Sequence, residues 1–387
     1  PTVQAGALDI DGTLDTATVD MADSTTLNID GTVQAAGATQ TTITGSAGAN
    51  TLLVNSGATL RATGDLGDGS DIVTLSGALN TGAGALSLGA GDDTLTLTDG
   101  ATIAGTGVDA AAGAIDRLVL NNASALTFAG NTTTGFEQLI KQNTGVATMT
   151  GTQTFAGTTI SGGTLDVDGS LNTASVALAD GTTLNVDGTV QAAGATQTSI
   201  SGAAGANTVV VNEGATLLAT GDLGAGADVL DVVGTLDTGG GTLSLGDGDD
   251  SFVIHDGTNV IGTVDGGAGV DTRVYEINLT ADIGALTGFE GLTKRGTGTL
   301  NMNGPGTSTL DEVEVQGGTL NVAAGAAIDG VVTTAVTSGA TLTIAGAYNG
   351  SAGNDTFTVA GTVNGTGTVN LGAGDDVLTL QDGAAVD

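Results

Sequence analysis

The sequence predicts an all-β fold, a parallel β-helix (solenoid) built from three short strands per coil, and three observations lead there. The first is a long internal repeat, which decides architecture before any local reading does. Gly31-Thr-Val-Gln-Ala-Ala-Gly-Ala-Thr-Gln40 recurs as Gly188 to Gln197, and Gly64-Asp-Leu-Gly67 recurs as Gly221 to Gly224, both 157 residues later. The second is a finer unit, Gly-x-Gly-x-Asp followed by alternating apolar residues. It occurs at Gly67 to Asp71, Gly89 to Asp93, Gly224 to Asp228, Gly246 to Asp250 and Gly372 to Asp376, with looser versions that place Asn50, Asn207, Asp271 and Asp355 at the same point. These positions recur at 21 or 22 residues within each copy. The third is local: Asp71-Ile-Val-Thr-Leu75, Gly77-Ala-Leu-Asn80 and Ala85-Leu-Ser-Leu88 are period-two runs of strand-forming residues punctuated by Ser-Gly, Thr-Gly and Gly-Ala.

The first copy covers residues 1–167 and the second 168–322. A third, shortened copy covers 323–387, because Gly181 finds its partner 158 residues on at Gly339 whereas Gly246 finds its partner only 126 on at Gly372. All three are expected to form one continuous solenoid. Stacked coils lie about 4.8 Å apart, so corners need residues that accept positive φ, which accounts for 68 Gly and for the Asn and Asp at the turns. At roughly 22 residues per coil the chain makes about 17 coils and a rod on the order of 80 Å long. A row of β-sandwiches also has short, evenly spaced strands, but would not keep a 21 to 22 residue spacing inside a 157-residue copy.

Composition excludes several classes of function. Six Lys+Arg against 42 Asp+Glu give a formal charge of −36, with the six cations scattered, so nucleic acid and anionic membranes are not expected partners. A hydrophobic content of 40% is too high for a disordered chain. No apolar run reaches the roughly 20 residues that span a bilayer. The start, Pro1-Thr-Val-Gln4, has neither a basic nor a signal-type apolar segment, which gives the expectation of an excised or processed piece.

Gly135-Phe-Glu-Gln-Leu-Ile-Lys141 with Ser161-Gly-Gly-Thr-Leu-Asp-Val167, and Gly288-Phe-Glu-Gly-Leu-Thr-Lys294 with Gln316-Gly-Gly-Thr-Leu-Asn-Val322, resemble the passenger-associated repeats of Gram-negative autotransporters (type V secretion). The resemblance implies a right-handed β-helical passenger domain displayed outside the cell, anchored in the outer membrane through a C-terminal barrel, and acting as an adhesin. The absence of Cys agrees with a chain that crosses an oxidising periplasm unfolded. Each coil needs only its predecessor as a template, which suits vectorial assembly.

The Gly-x-Gly-x-Asp segments also resemble the calcium-binding nonapeptide of RTX proteins. On that resemblance Asp71, Asp93, Asp228, Asp250, Asp271, Asp355 and Asp376 are candidate Ca2+ ligands along one corner of successive coils. The competing reading is an Asx turn, each side chain capping N–H groups of its own corner. Asp92-Asp93, Asp249-Asp250 and Asp375-Asp376 pair carboxylates as polysaccharide-cleaving enzymes do, yet neighbours on a strand point to opposite faces. His255, the only histidine, aligns with Thr98 of the first copy and reads as a surface turn residue. Phe136 and Phe289 read as core anchors, and Lys294-Arg295 as a solvated turn. The expected function is a non-enzymatic, surface-displayed or secreted β-helical adhesin or stalk, whose partners are a host or neighbouring-cell surface receptor or other copies of the rod. The alternatives are a calcium-dependent RTX-like extracellular module and, third, an enzyme acting on polysaccharide.

Overall fold

In the computed structural model, which describes residues 1–387, the chain is a β-solenoid of about 18 turns made of parallel strands, with no α-helix and a single 3₁₀ turn at Gly130–Thr132. It divides into two compact units, residues 1–202 with 215–219, and residues 203–214 with 220–387.

In the first unit each strand hydrogen-bonds to the strand one coil away in register. Thr26–Ile29 pairs with Thr51–Val54, which pairs with Ile72–Leu75, then Thr94–Thr98, then Arg117–Asn121. Alternate residues point inward, so Leu27, Leu52, Val73, Leu95 and Leu118 form one buried column, and Ile29, Val54, Leu75, Leu97 and Leu120 a second. Each inward Leu, Ile or Val adds about 1.5–3 kcal/mol of burial. The spacing of 21 to 22 residues holds along the Gly-x-Gly-x-Asp rows, but coils elsewhere are shorter or longer: Val146 pairs with Thr164, and Thr26 with Thr51. Turns absorb the difference, since the ladder constrains only the strands.

The 157-residue repeat is not a whole number of coils. Seven pairing steps carry Ala7–Ile10 down one sheet to Gly157–Ile160, whereas the counterpart of Ala7–Ile10 is Thr164–Val167, on the next sheet round. A segment and its equivalent 157 residues on therefore lie one face apart around the coil.

The second unit has the same construction. Its longest sheet runs from Thr208–Val211 through Val229–Val232, Ser251–His255, Thr272–Glu276 and Gly291–Arg295 to Val377–Leu380. Each unit also contains a seam where one face stops pairing. Thr102–Ala104 bonds only to the coil before it and Leu126–Ala129 only to the coil after. Asn259–Ala268 and Thr280–Ile283 repeat that break in the second unit. Both seams lie just before the Gly-Phe-Glu segments.

Candidate functional site: the carboxylate ladders

The Gly-x-Gly-x-Asp unit exists because coils touch backbone to backbone at this corner. Gly91 sits at φ +147° and Gly248 at φ +150°, and a Cβ at either would collide with the carbonyl of the glycine one coil earlier, Gly69 or Gly226. The Asp that follows takes the first inward-facing position of the next strand. Asp71, Asp93, Asp228 and Asp271 are all fully buried there, and Asp250 and Asp355 nearly so.

Their side chains cross between coils. Asn50 N–H donates to Asp71 Oδ1 at 2.5 Å, Asp71 N–H to Asp93 Oδ1 at 2.7 Å, and Asp93 N–H to Asp116 Oδ1 at 2.7 Å. Asp116 N–H donates to Glu137 Oε2 at 2.8 Å, which ends the row. The second unit repeats the chain of contacts: Asn207 N–H to Asp228, Asp228 N–H to Asp250, Asp250 N–H to Asp271, and Asp271 N–H to Glu290. Asp355 N–H donates to Asp376 Oδ1 at 3.1 Å. All seven predicted positions thus lie in vertical rows. The Asx-turn expectation holds at Asn50 and Asp355, which accept from Ser46 N–H and Ser351 N–H of their own corners. It fails at Asp71, Asp93, Asp228, Asp250, Asp271 and Asp376, which cap the corner of the preceding coil. The reason is that the strand's hydrogen-bonding pattern leaves the N–H of each corner residue aimed along the solenoid axis, where the next coil's carboxylate is the nearest acceptor.

Asp355 accepts on both oxygens, from Ser351 N–H and from the Ser351 hydroxyl; the other buried acids use one. Oδ2 of Asp71, Asp93, Asp116, Asp228, Asp250 and Asp271 is buried without a hydrogen-bond partner. Burial therefore raises these carboxyls, partly offset by the backbone N–H each accepts and reinforced by neighbouring acids: Asp71 to about 7, and Asp93, Asp228 and Asp271 to about 6. Asp116 and Asp250 move in the same direction for the same first cause. One unpartnered oxygen per coil falls well short of the six to eight oxygens that Ca2+ takes. The orphaned Oδ2 is suited instead to carry a proton. Acids whose oxygens do converge within 4.8 Å lie on the surface, at Asp9, Asp11 and Asp30 and at Asp166, Asp168 and Asp187, and an Asn amide bridges each set: Asn28 donates to Asp9 and Asp30, and Asn185 to Asp166 and Asp187.

Adjacent carboxylates split between faces as strand geometry requires. Asp92 and Asp249 are exposed while Asp93 and Asp250 are buried, and the outer acids accept from the following coil, Asp92 from Ala114 and Ile115 N–H and Asp249 from Val270 N–H. Phe136 and Phe289 are core residues at 4% and 1% exposure.

Two expectations need correction. Lys294 is not part of a solvated turn. It is fully buried, and its ammonium donates to the carbonyls of Ile277, Arg295, Gly296 and Gly317. Lys141 is buried in the same way, over the carbonyls of Gln142, Asn143 and Gly162. Turn carbonyls converge there, Ile277 O and Arg295 O also accepting from the N–H of Gly298 and of Ile277, and the three donors of an ammonium are shared among them. Burial lowers Lys141 to about 8 and Lys294 likewise downward. His255 is half-buried, its Nε2 2.8 Å from Asp231 Oδ1, so it belongs to a cross-coil pair and not to a free turn. Comparison of the chain with models of protein families, with curated proteins and with solved structures gives no match.

Proposed function

We propose that this chain is a β-helical stalk of an adhesin, displayed on a bacterial surface or secreted, that works without catalysis by presenting repeated polar columns to a cell-surface receptor or to another copy of itself. The observation that carries this reading is the regularity of the outward side chains. Asn55 Nδ2 donates to Asn28 Oδ1 at 2.8 Å and Asn28 to Asp9 Oδ1 at 2.7 Å, and Asn321 bonds to Asn301, which bonds to Asp282. Side chains fixed to one another along the axis lose little further freedom on docking, so many weak contacts can add. An autotransporter-like route to the surface is part of the proposal, motivated by the Gly-Phe-Glu-x-Leu-x-Lys segments and by a fold that grows coil upon coil. Beads or cells coated with the protein should cluster, or attach to a target cell layer, more than beads coated with a control protein of equal charge. Dispersed beads and no attachment would sink the reading.

The surface acid triads motivate a second reading, a calcium-dependent module. It predicts that chelation lowers the melting temperature and that added Ca2+ restores it. The stalk reading predicts the same circular dichroism and melting curve with and without chelator.

A further inference from the structure

The seam of the second unit opens into a cleft of about 430 Å³, within the size range of small-molecule pockets. The matching seam of the first unit leaves about 230 Å³, lined without a single ionisable residue. The two copies differ at the positions that shape this space. Leu95, Leu118, Leu120 and Leu126 are buried core residues in the first copy, and by strand register their counterparts in the second are Phe252, Arg273, Tyr275 and Ala281. Leu126 to Ala281 removes volume, and Leu118 to Arg273 puts a cation where its column neighbours are Phe252 and Leu292.

Arg273 is held but not neutralised. Its guanidinium lies 4.3 Å from the Phe289 ring centre and 5.2 Å from that of Phe252, and Nη2 makes one long contact of 3.5 Å to Val264 O. Its Nε is buried with no partner. No carboxylate lies within 4 Å, although the chain carries 42 acids. The two acids that line the cleft are engaged elsewhere: Asp256 accepts from Asn278 and Leu279 N–H, and Asp282 from the Asn301 and Asn303 amides. The guanidinium also meets the Tyr275 side chain; with no charged partner and set in an apolar wall, it matches the bidentate geometry of a carboxylate.

We propose that this cleft binds a small organic carboxylate with an apolar or aromatic body, the carboxylate on Arg273 and the body against Val260, Ile277 and Ile283. The site is independent of the adhesive function and is confined to the second copy.

His255 is the only histidine, and the two tyrosines divide into Tyr275, in the cleft wall, and Tyr348, fully buried elsewhere in the core. The full chain labelled with ¹³C at His and Tyr would be titrated with benzoate and with its uncharged isostere benzamide while the NMR signals of all three residues are followed. Saturable shifts at His255 and Tyr275, a silent Tyr348, and benzoate binding at least tenfold tighter than benzamide are expected. Arg273→Leu, which installs the first copy's residue, should erase the preference for benzoate. Non-saturating shifts, equal binding of the two probes, or an unchanged preference in the variant would overturn the proposal. If that variant does not fold, the comparison of the two probes on the unaltered chain decides.

Discussion

Replacing Lys294 by methionine is expected to destabilise the protein by about 3 kcal/mol, because the aliphatic stem remains while the carbonyls of Gly296 and Gly317 lose their donor and those of Ile277 and Arg295 are left with the N–H of Gly298 and of Ile277. A surface lysine would cost a few tenths of that. Denaturant unfolding of the variant measures it, with Arg295→Met beside it as the control; Arg295 is exposed, and its Nε bonds only to Gln316 Oε1. The loss should be reproduced by Lys141→Met in the first unit, which removes the donor from three carbonyls. Equal, small effects for Lys294→Met and Arg295→Met would show that the carbonyl cage does not need its ammonium.

The second large effect concerns the ladder. Asp93→Ala leaves Asp71 N–H without an acceptor in a dry corner and is expected to cost about 1–3 kcal/mol. Asp93→Asn keeps the accepting oxygen, removes the buried charge and its repulsion with Asp116, and should match or exceed the unaltered protein at pH 8. Asn50 and Asn207 already occupy equivalent corners. The pH dependence follows from the direction of the shifts. In the folded chain Asp71 sits near 7 and Asp93, Asp228 and Asp271 near 6, against about 3.9 unfolded. Between those limits the folded state binds more protons, so this contribution is whole below about pH 4 and is lost as pH rises through 6 to 7. The melting temperature should therefore be higher at pH 5 than at pH 8, and Asp93→Asn should narrow the gap. A melting temperature that rises from pH 5 to pH 8 would contradict the buried ladder.

Much of this was legible in the sequence, and what was missed has physical causes. A solenoid announces itself because every coil solves the same packing problem, so Gly91 recurs where a carbonyl of the coil before passes too close for a Cβ. The rows of Asp were legible from that same spacing. Asp116 escaped because Ala112-Gly-Ala-Ile-Asp116 lacks the paired glycines, and Glu137 and Glu290 because the Gly-Phe-Glu segment carries no Gly-x-Gly-x-Asp spacing. Lys294 escaped because its charge was read as exposure, and Lys141 because it stood only as one of six scattered cations. Their phase said otherwise: each lies two residues after an inward leucine, Leu139 and Leu292, in an alternating strand. Arg273 carries the same signal, two residues after Asp271 and two before Tyr275. The seams were not legible, since they arise where strands fail to pair, and failure to pair leaves no periodic mark.

The most direct measurement of the stacking itself uses the absence of native cysteine. Thr74 and Thr96 face each other from adjacent coils with outward side chains, at a strand separation within the reach of a disulfide. Thr74→Cys with Thr96→Cys should close an intramolecular bridge under mild oxidation, while Thr74→Cys with Thr94→Cys, two residues out of register, should stay reduced. A bridge in neither pair, or in both alike, would contradict coils stacked at this register.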